Sequence, residues 1–278
     1  MQNAGPYLAV LLAAMAHAAW NTMVKGSKDQ LLMLTAIRFV GLAAGLVTIS
    51  FVPAPAAASL PYLAGAAAFH YAYYAMMLQA YRVGDMSQVY PIARGTAPLV
   101  VTLLAATLAG EWPGAPGLLA VGLLCAGIAL LAGSKAPQGK AVLFAMLTGL
   151  AISGYSFLSG LGIRQSGSLL GYIAWLEIAT GLGMSIVALK HRRHVLQDFI
   201  SRQWRLGLIA GCLSVGGYAI ALWAMSLLPM APVVALRETS VVFAALLGSL
   251  FLGEGETGKR SSAAILITLG IALLVSGQ

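Results

Sequence analysis

The chain is divided, almost from end to end, into apolar runs of the length a helix needs to cross a lipid bilayer, about 20 residues. Ten such runs can be marked, at residues 5–24, 31–52, 61–81, 87–109, 115–133, 141–161, 168–190, 204–227, 230–252 and 262–277. In hydrocarbon every backbone polar group must find a partner inside its own segment. The runs lack the period-two alternation of an outer-membrane barrel, which leaves helices. Composition agrees, because 60% of the residues are hydrophobic and 9% charged, against about 25% charged in a soluble domain. The expected fold class is an all-α integral membrane protein with ten transmembrane helices.

Residues 94–131 and 237–274 align without a gap at an offset of 143, with 13 identities in 38 pairs. Arg94 falls on Arg237, Gly110-Glu111 on Gly253-Glu254, and the pentapeptide from Gly127 on the one from Gly270. Apolar composition matches Leu and Ala by chance, but it does not place an arginine and a Gly-Glu pair at one spacing twice. Two units are expected, 1–134 and 135–278. Each holds five helices, an odd number, so the second enters the membrane upside down and the repeat is inverted, as in many secondary transporters.

The formal charge of +8 suggests no nucleic-acid partner, because the basic residues lie in the gaps between spans. The gaps after runs 1, 3, 5, 7 and 9 hold twelve Lys and Arg, and the gaps on the other side hold only Arg164. The positive-inside rule makes the basic side cytoplasmic and puts both termini outside. A cell inner membrane is the expected location, with no cleavable signal peptide. The longest gap, 190–205, reads as a basic loop that rests on lipid headgroups, so membrane lipids are expected partners. Cys125 and Cys212 lie inside apolar runs and form neither a disulfide framework nor a metal cluster. No cofactor or metal is expected.

Several of these features carry a family resemblance. Two five-helix halves, His17-Ala-Ala-Trp20-Asn21 leading to Lys25, Arg38 in the second run, and the corner at Gly110-Glu111 repeated at Gly253-Glu254 resemble the EamA branch of the drug/metabolite transporter superfamily. The resemblance covers the whole chain and implies a secondary transporter without enzyme activity, more often an exporter. It leaves the substrate open. Many relatives are described with cytoplasmic termini, against the loop-charge reading here.

Ionisable groups at membrane depth cost about 2.5–3.5 kcal/mol each on insertion scales and persist with a partner or a water-filled cavity. There are five: Arg38, Arg94, Arg237, Glu177 and Glu238. Pairing both acids leaves one positive charge, which suits an anionic or zwitterionic metabolite. The repeated Arg94 and Arg237 are the leading substrate-binding candidates, on helices broken by Pro91 and Pro98 and by Pro229 and Pro232. Tyr90 shares a face with Arg94. His17, Trp20, Asn21, Tyr74, Tyr155 and Trp223 complete the substrate set, each weighed against simple helix packing. Glu238, Glu177, Arg38 and His70 are candidates for coupling to protons or for ion pairs. Adjacent Arg237 and Glu238 diverge by about 100° on a helix and are expected to point apart, Glu238 pairing across the bundle with Arg94 or Arg38. Glu111 and Glu254, where the helix dipole disfavours an anion, read as structural or gating residues.

Two other classes compete with a transporter. A hydrolase would use Ser156 with His17 or His70 as base, a weak signal in a chain with 32 glycines. A receptor or assembly protein would fill the cavity with side chains. The pattern Gly41-x-x-x-Gly45, together with those at Gly167 and Gly207, points to close packing within one chain, with monomer and homodimer both open.

Overall fold

A computed structural model of the chain describes residues 4–84, 86–130, 139–243 and 257–276. These fold into α1 (Ala4–Gly26), α2 (Gln30–Thr48), α3 (Leu60–Val83), α4 (Met86–Leu108), α5 (Gly114–Leu130), α6 (Gly139–Gln165), α7 (Leu169–Leu227), α8 (Met230–Glu238) and α9 (Thr257–Ser276). No strand occurs among the described residues. Caps mark two starts: Asp29 accepts from Leu32 N–H at the head of α2, and Ser168 accepts from Gly171 N–H at the head of α7.

Polarity is turned inside out relative to a soluble protein. Arg38, Arg94, Arg237, Glu177 and Glu238 are all buried, while Leu12, Leu103 and Phe51 stand outward. Hydroxyls of Thr35, Thr96, Thr102, Thr148 and Thr180 bond the carbonyl four residues earlier, as hydrocarbon surroundings demand. Five described helices are long and apolar enough to cross a membrane.

One of those is α7, and here the sequence expectation needs correcting. Residues 190–205 are not a loop but helix, because 184–206 contains neither glycine nor proline to interrupt it. The element nevertheless doubles back. Arg38 touches both Glu177 and Ser214, which a straight helix would hold about 55 Å apart. Two arms therefore flank α2, one antiparallel to it and one parallel. Gly181 and Gly45 let the first arm approach, and Gly207 and Gly211 let the second.

The contacts also sort the chain turns into two ends. At one end Arg192 bonds Asp29 at 3.0 Å, and Gly84 lies against Ala141. At the other Ala56 N–H donates to Ser166 O at 2.8 Å, Ser168 to Pro53 O, and Arg164 to Glu111. Among the described residues the basic turns share the first end and Arg164 stands at the second.

Helices α5 and α9 cross at two glycines. A Cβ on Gly127 would meet Ile267 at 2.6 Å and Ala263 O at 3.0 Å, and a Cβ on Gly270 would meet Leu124 at 2.8 Å and Ala120 O at 3.0 Å. Each contact is the other's image under the offset of 143.

Candidate functional site

Three arginines and two glutamates meet near the centre in two groups. Arg38 on α2 donates to Glu177 at 3.1 Å and to Ser214 Oγ at 2.5 Å, both on α7. This group is neutral. The other is built on Glu238, whose Oε2 accepts from Arg94 Nη1 at 2.7 Å and whose Oε1 accepts from Arg237 Nη2 at 3.0 Å. Two cations share one carboxylate, so one positive charge remains.

Arg237 and Glu238 were expected to diverge, and they do not. α8 ends at Glu238, followed by a turn at Thr239, and the long guanidinium curls back onto its neighbour. The pairing of Glu238 with Arg94 across the bundle is present. Arg237 Nη2 also donates to Tyr155 Oη at 3.1 Å and Ser156 Oγ at 3.3 Å. The Ser156 hydroxyl thus answers to a guanidinium, not to an imidazole.

His17 Nε2 lies 2.5 Å from Arg94 Nη2. A guanidinium nitrogen can only donate, so this ring nitrogen accepts and the ring proton sits on Nδ1. The imidazole stands edge-on to Trp20 at 4.8 Å. His70 Nδ1 donates to Ala66 O at 2.9 Å, and its ring stacks on Tyr155 at 4.0 Å.

Between these groups lies a cavity of about 40 Å³ reached by α1, α2, α3, α6, α7 and α8. Of the predicted residues, His17, Trp20, Arg38, His70, Tyr74, Tyr155 and Arg237 line it. Others fall elsewhere. Trp223 is 36% exposed on the outer surface, and the α7 second arm offers Ser214, Gly217 and Tyr218 instead. Asn21 is buried with its amide donating to His17 O at 2.8 Å, a contact within α1. Glu177 stands behind Arg38. Arg94 and Tyr90 border a second, smaller cavity with Tyr73 and Tyr81, and the Arg94 guanidinium lies 4.9 Å from the Tyr90 ring. The buried hydroxyls of Tyr73 and Tyr81 have no hydrogen-bond partner.

Tyr73 and Tyr218 also line the cavity; the sequence offers both as aromatic candidates but does not rank them in the substrate set. Tyr73 belongs to the aromatic stretch 69–74 on α3, but no spacing rule says which of its rings turns inward. Tyr218 donates to Ser159 on α6, a contact between distant segments. Glu111 sits at the far end, where it takes Arg164 and accepts from Met230 N–H at 2.8 Å. Glu254 lies outside the described residues.

A helical bundle with an apolar exterior and its charged groups paired at the centre is the build of a membrane protein. Comparisons with known proteins agree. Residues 139–276 match the EamA-like transporter family. A presumed sugar uptake protein of Listeria monocytogenes is 26% identical over 205 residues, 72% of this chain and 70% of that one. A crystal structure aligned over 98% of this chain and 96% of its own has a TM-score of 0.73 at 18% identity, a likeness of fold alone. The chain is an EamA-type transporter of the drug/metabolite transporter superfamily, and not an enzyme.

Proposed function

We propose that the protein is a secondary carrier for a small polar metabolite bearing an acidic group, crossing an inner membrane ten times as two inverted five-helix units, 1–134 and 135–278. The reciprocal contacts of Gly127 and Gly270 support the inverted pairing, since a two-fold relation makes each contact the image of the other. The basic end is cytoplasmic in this reading and both termini are outside.

The observation that carries the substrate class is the unbalanced charge. Arg94, Arg237 and Glu238 sum to +1 in a buried place, where an isolated charge is costly unless something pairs with it. A carboxylate or phosphate on the solute supplies the missing charge, held by Arg237 with Arg38 opposite. The aromatic rings of Trp20, Tyr74 and Tyr155 pack its apolar face.

As it stands the cavity holds about three waters, while small-molecule sites span about 300–1,000 Å³. The solute is therefore admitted by parting of the helices, first at one end and then at the other. Net direction follows the gradients of solute and any coupled proton, with His17, His70, Glu177 and Glu238 as the groups able to carry it.

A sugar is the second reading. It rests on the name of the Listeria relative and on the aromatic walls, which stack on a sugar ring as readily as on another planar face. Uptake into liposomes holding the purified protein separates the two, using acidic, zwitterionic, cationic and neutral-sugar solutes with and without a pH gradient. Saturable uptake of acidic or zwitterionic solutes that Arg237→Gln abolishes is the expected result. Transport of neutral sugars alone would replace the first reading by the second, and no transport of any class would remove both.

A further inference from the structure

We propose that Arg94 and the hydroxyls of Tyr73 and Tyr81 form a second station for the solute's acidic group, between the central cavity and the basic end. The inference rests on the acidic-solute reading and adds a site to it. Both hydroxyls are buried without a hydrogen-bond partner, and both tyrosines line the smaller cavity beside Arg94. An unmet buried hydroxyl costs stability, so packing alone favours phenylalanine at each position. Two such groups on one cavity point to a ligand.

The chemistry of the lining selects that ligand. Arg94 is charged, and among the described residues no carboxylate lines the cavity. The guanidinium donates to Glu238 Oε2 at 2.7 Å and to His17 Nε2 at 2.5 Å, which uses two of its five N–H groups. Thr148, in the same wall, has spent its hydroxyl on Phe144 O at 2.7 Å. Free O–H donors beside a guanidinium suit the oxygens of a carboxylate or phosphate and disfavour a cation.

Tyr73 lines both cavities, so its ring belongs to the wall they share. From there Ala80 and Tyr81, near the end of α3, and Val89, near the start of α4, carry the smaller cavity toward the turn at Gly84. Glu238 serves both sides. Its Oε1 holds Arg237, which lines the central cavity, and its Oε2 holds Arg94, which lines the smaller one. With the solute's acid on Arg237, Glu238 keeps Arg94; with the acid on Arg94, Glu238 keeps Arg237. Two negative groups face two guanidiniums at either station, so the transfer leaves no buried charge unpaired. As it stands the smaller cavity measures about 10 Å³, room for one water. It therefore takes the acid only when α3 and α4 part at the basic end.

The test measures saturable uptake of radiolabelled acetate, lactate, succinate, glutamate and orthophosphate into liposomes, and continues with the one the unaltered protein takes up fastest. Tyr73→Phe/Tyr81→Phe should raise KM for that solute roughly tenfold, the order expected for lost hydrogen bonds to a charged group, while the thermal midpoint in detergent holds or rises. Tyr7→Phe removes a buried, unpartnered hydroxyl that lines neither cavity and should leave KM unchanged. If the double variant does not fold, Tyr73→Phe and Tyr81→Phe separately carry the test, each raising KM several-fold. An unchanged KM in the tyrosine-pocket variants, or an equal rise in Tyr7→Phe, would overturn the station and leave the acidic-solute reading standing. Uptake of none of the five solutes by the unaltered protein would overturn that reading and the station with it.

Discussion

Glu238 is the residue on which the buried charge balance turns. It accepts from Arg94 on one oxygen and from Arg237 on the other, at a position with no exposure to solvent. Removing one partner of a buried pair costs about 3–5 kcal/mol, because the charge left behind has neither water nor counter-ion. Glu238→Gln strands two guanidiniums, whereas Arg94→Gln or Arg237→Gln leaves the acid with one. We expect Glu238→Gln to be the least stable of the three, read as the lowest thermal midpoint in detergent. Equal midpoints would mean that Glu238 is not the shared counter-ion. Tyr73 and Tyr81 give the opposite kind of prediction. Their hydroxyls are buried without partners beside the small cavity next to Arg94, and an unmet polar group costs about 1–3 kcal/mol. Tyr73→Phe and Tyr81→Phe should therefore keep or raise the thermal midpoint. If these hydroxyls greet the solute in transit, uptake falls several-fold in the same variants, and unchanged uptake would take them off the route. The five ionisable residues were legible in the sequence because charge inside an apolar run is conspicuous. The Arg237–Glu238 contact was not, since it depends on α8 ending at Glu238. Nor was the inward turn of Tyr218, which requires knowing that α6 passes the second arm of α7.

At the scale of elements, the seam between α2 and α7 shows what small residues accomplish in lipid. Without a hydrophobic force between helices, close backbone approach and polar contacts hold them together. Gly41 leaves room for the Glu177 carboxylate itself, so a methyl there displaces one partner of the Arg38 pair. Gly216, on the same α7, has open space at its Cβ position. Gly41→Ala should lower the thermal midpoint by several degrees. Gly216→Ala should raise it slightly, because alanine is favoured over glycine by about 0.5–1 kcal/mol within a helix. Equal effects would show that the seam is looser than the contacts imply. The glycine spacing at Gly41 and Gly207 was legible and correctly assigned to packing within the chain. The form of 190–205 was not. Its basic residues suggested a solvated loop, while the absence of any glycine or proline from 184 to 206 lets the helix continue through them and turn back.

For the molecule as a whole, the question is which end opens first. On the basic side of the cavity stand the Glu238 group with Tyr73 and Tyr90, all buried, and a half-buried Tyr81. Toward the other end Glu111 gathers Arg164 and the first N–H of α8, while Arg164 also holds Met225 O and Leu228 O. This clasp joins the end of α4 to α6, α7 and α8 across the whole bundle. Its arginine side chain is 30% exposed, so water and salt weaken it, and it is the cheaper of the two closures to break. Glu111→Gln removes the charge and keeps the shape. We expect it to favour the state open at the Arg164 end. The check is a single cysteine at Ala13, which is buried against the cavity, in a protein with Cys125 and Cys212 replaced by serine. Alkylation by an impermeant maleimide applied from the Arg164 side should be slow with Glu111 and several-fold faster with Glu111→Gln. High salt should narrow the difference by loosening the intact clasp. No change in rate would mean that Glu111 only fastens the corner between α4 and α5, and that the Arg164 end is closed by the packing of the helices themselves.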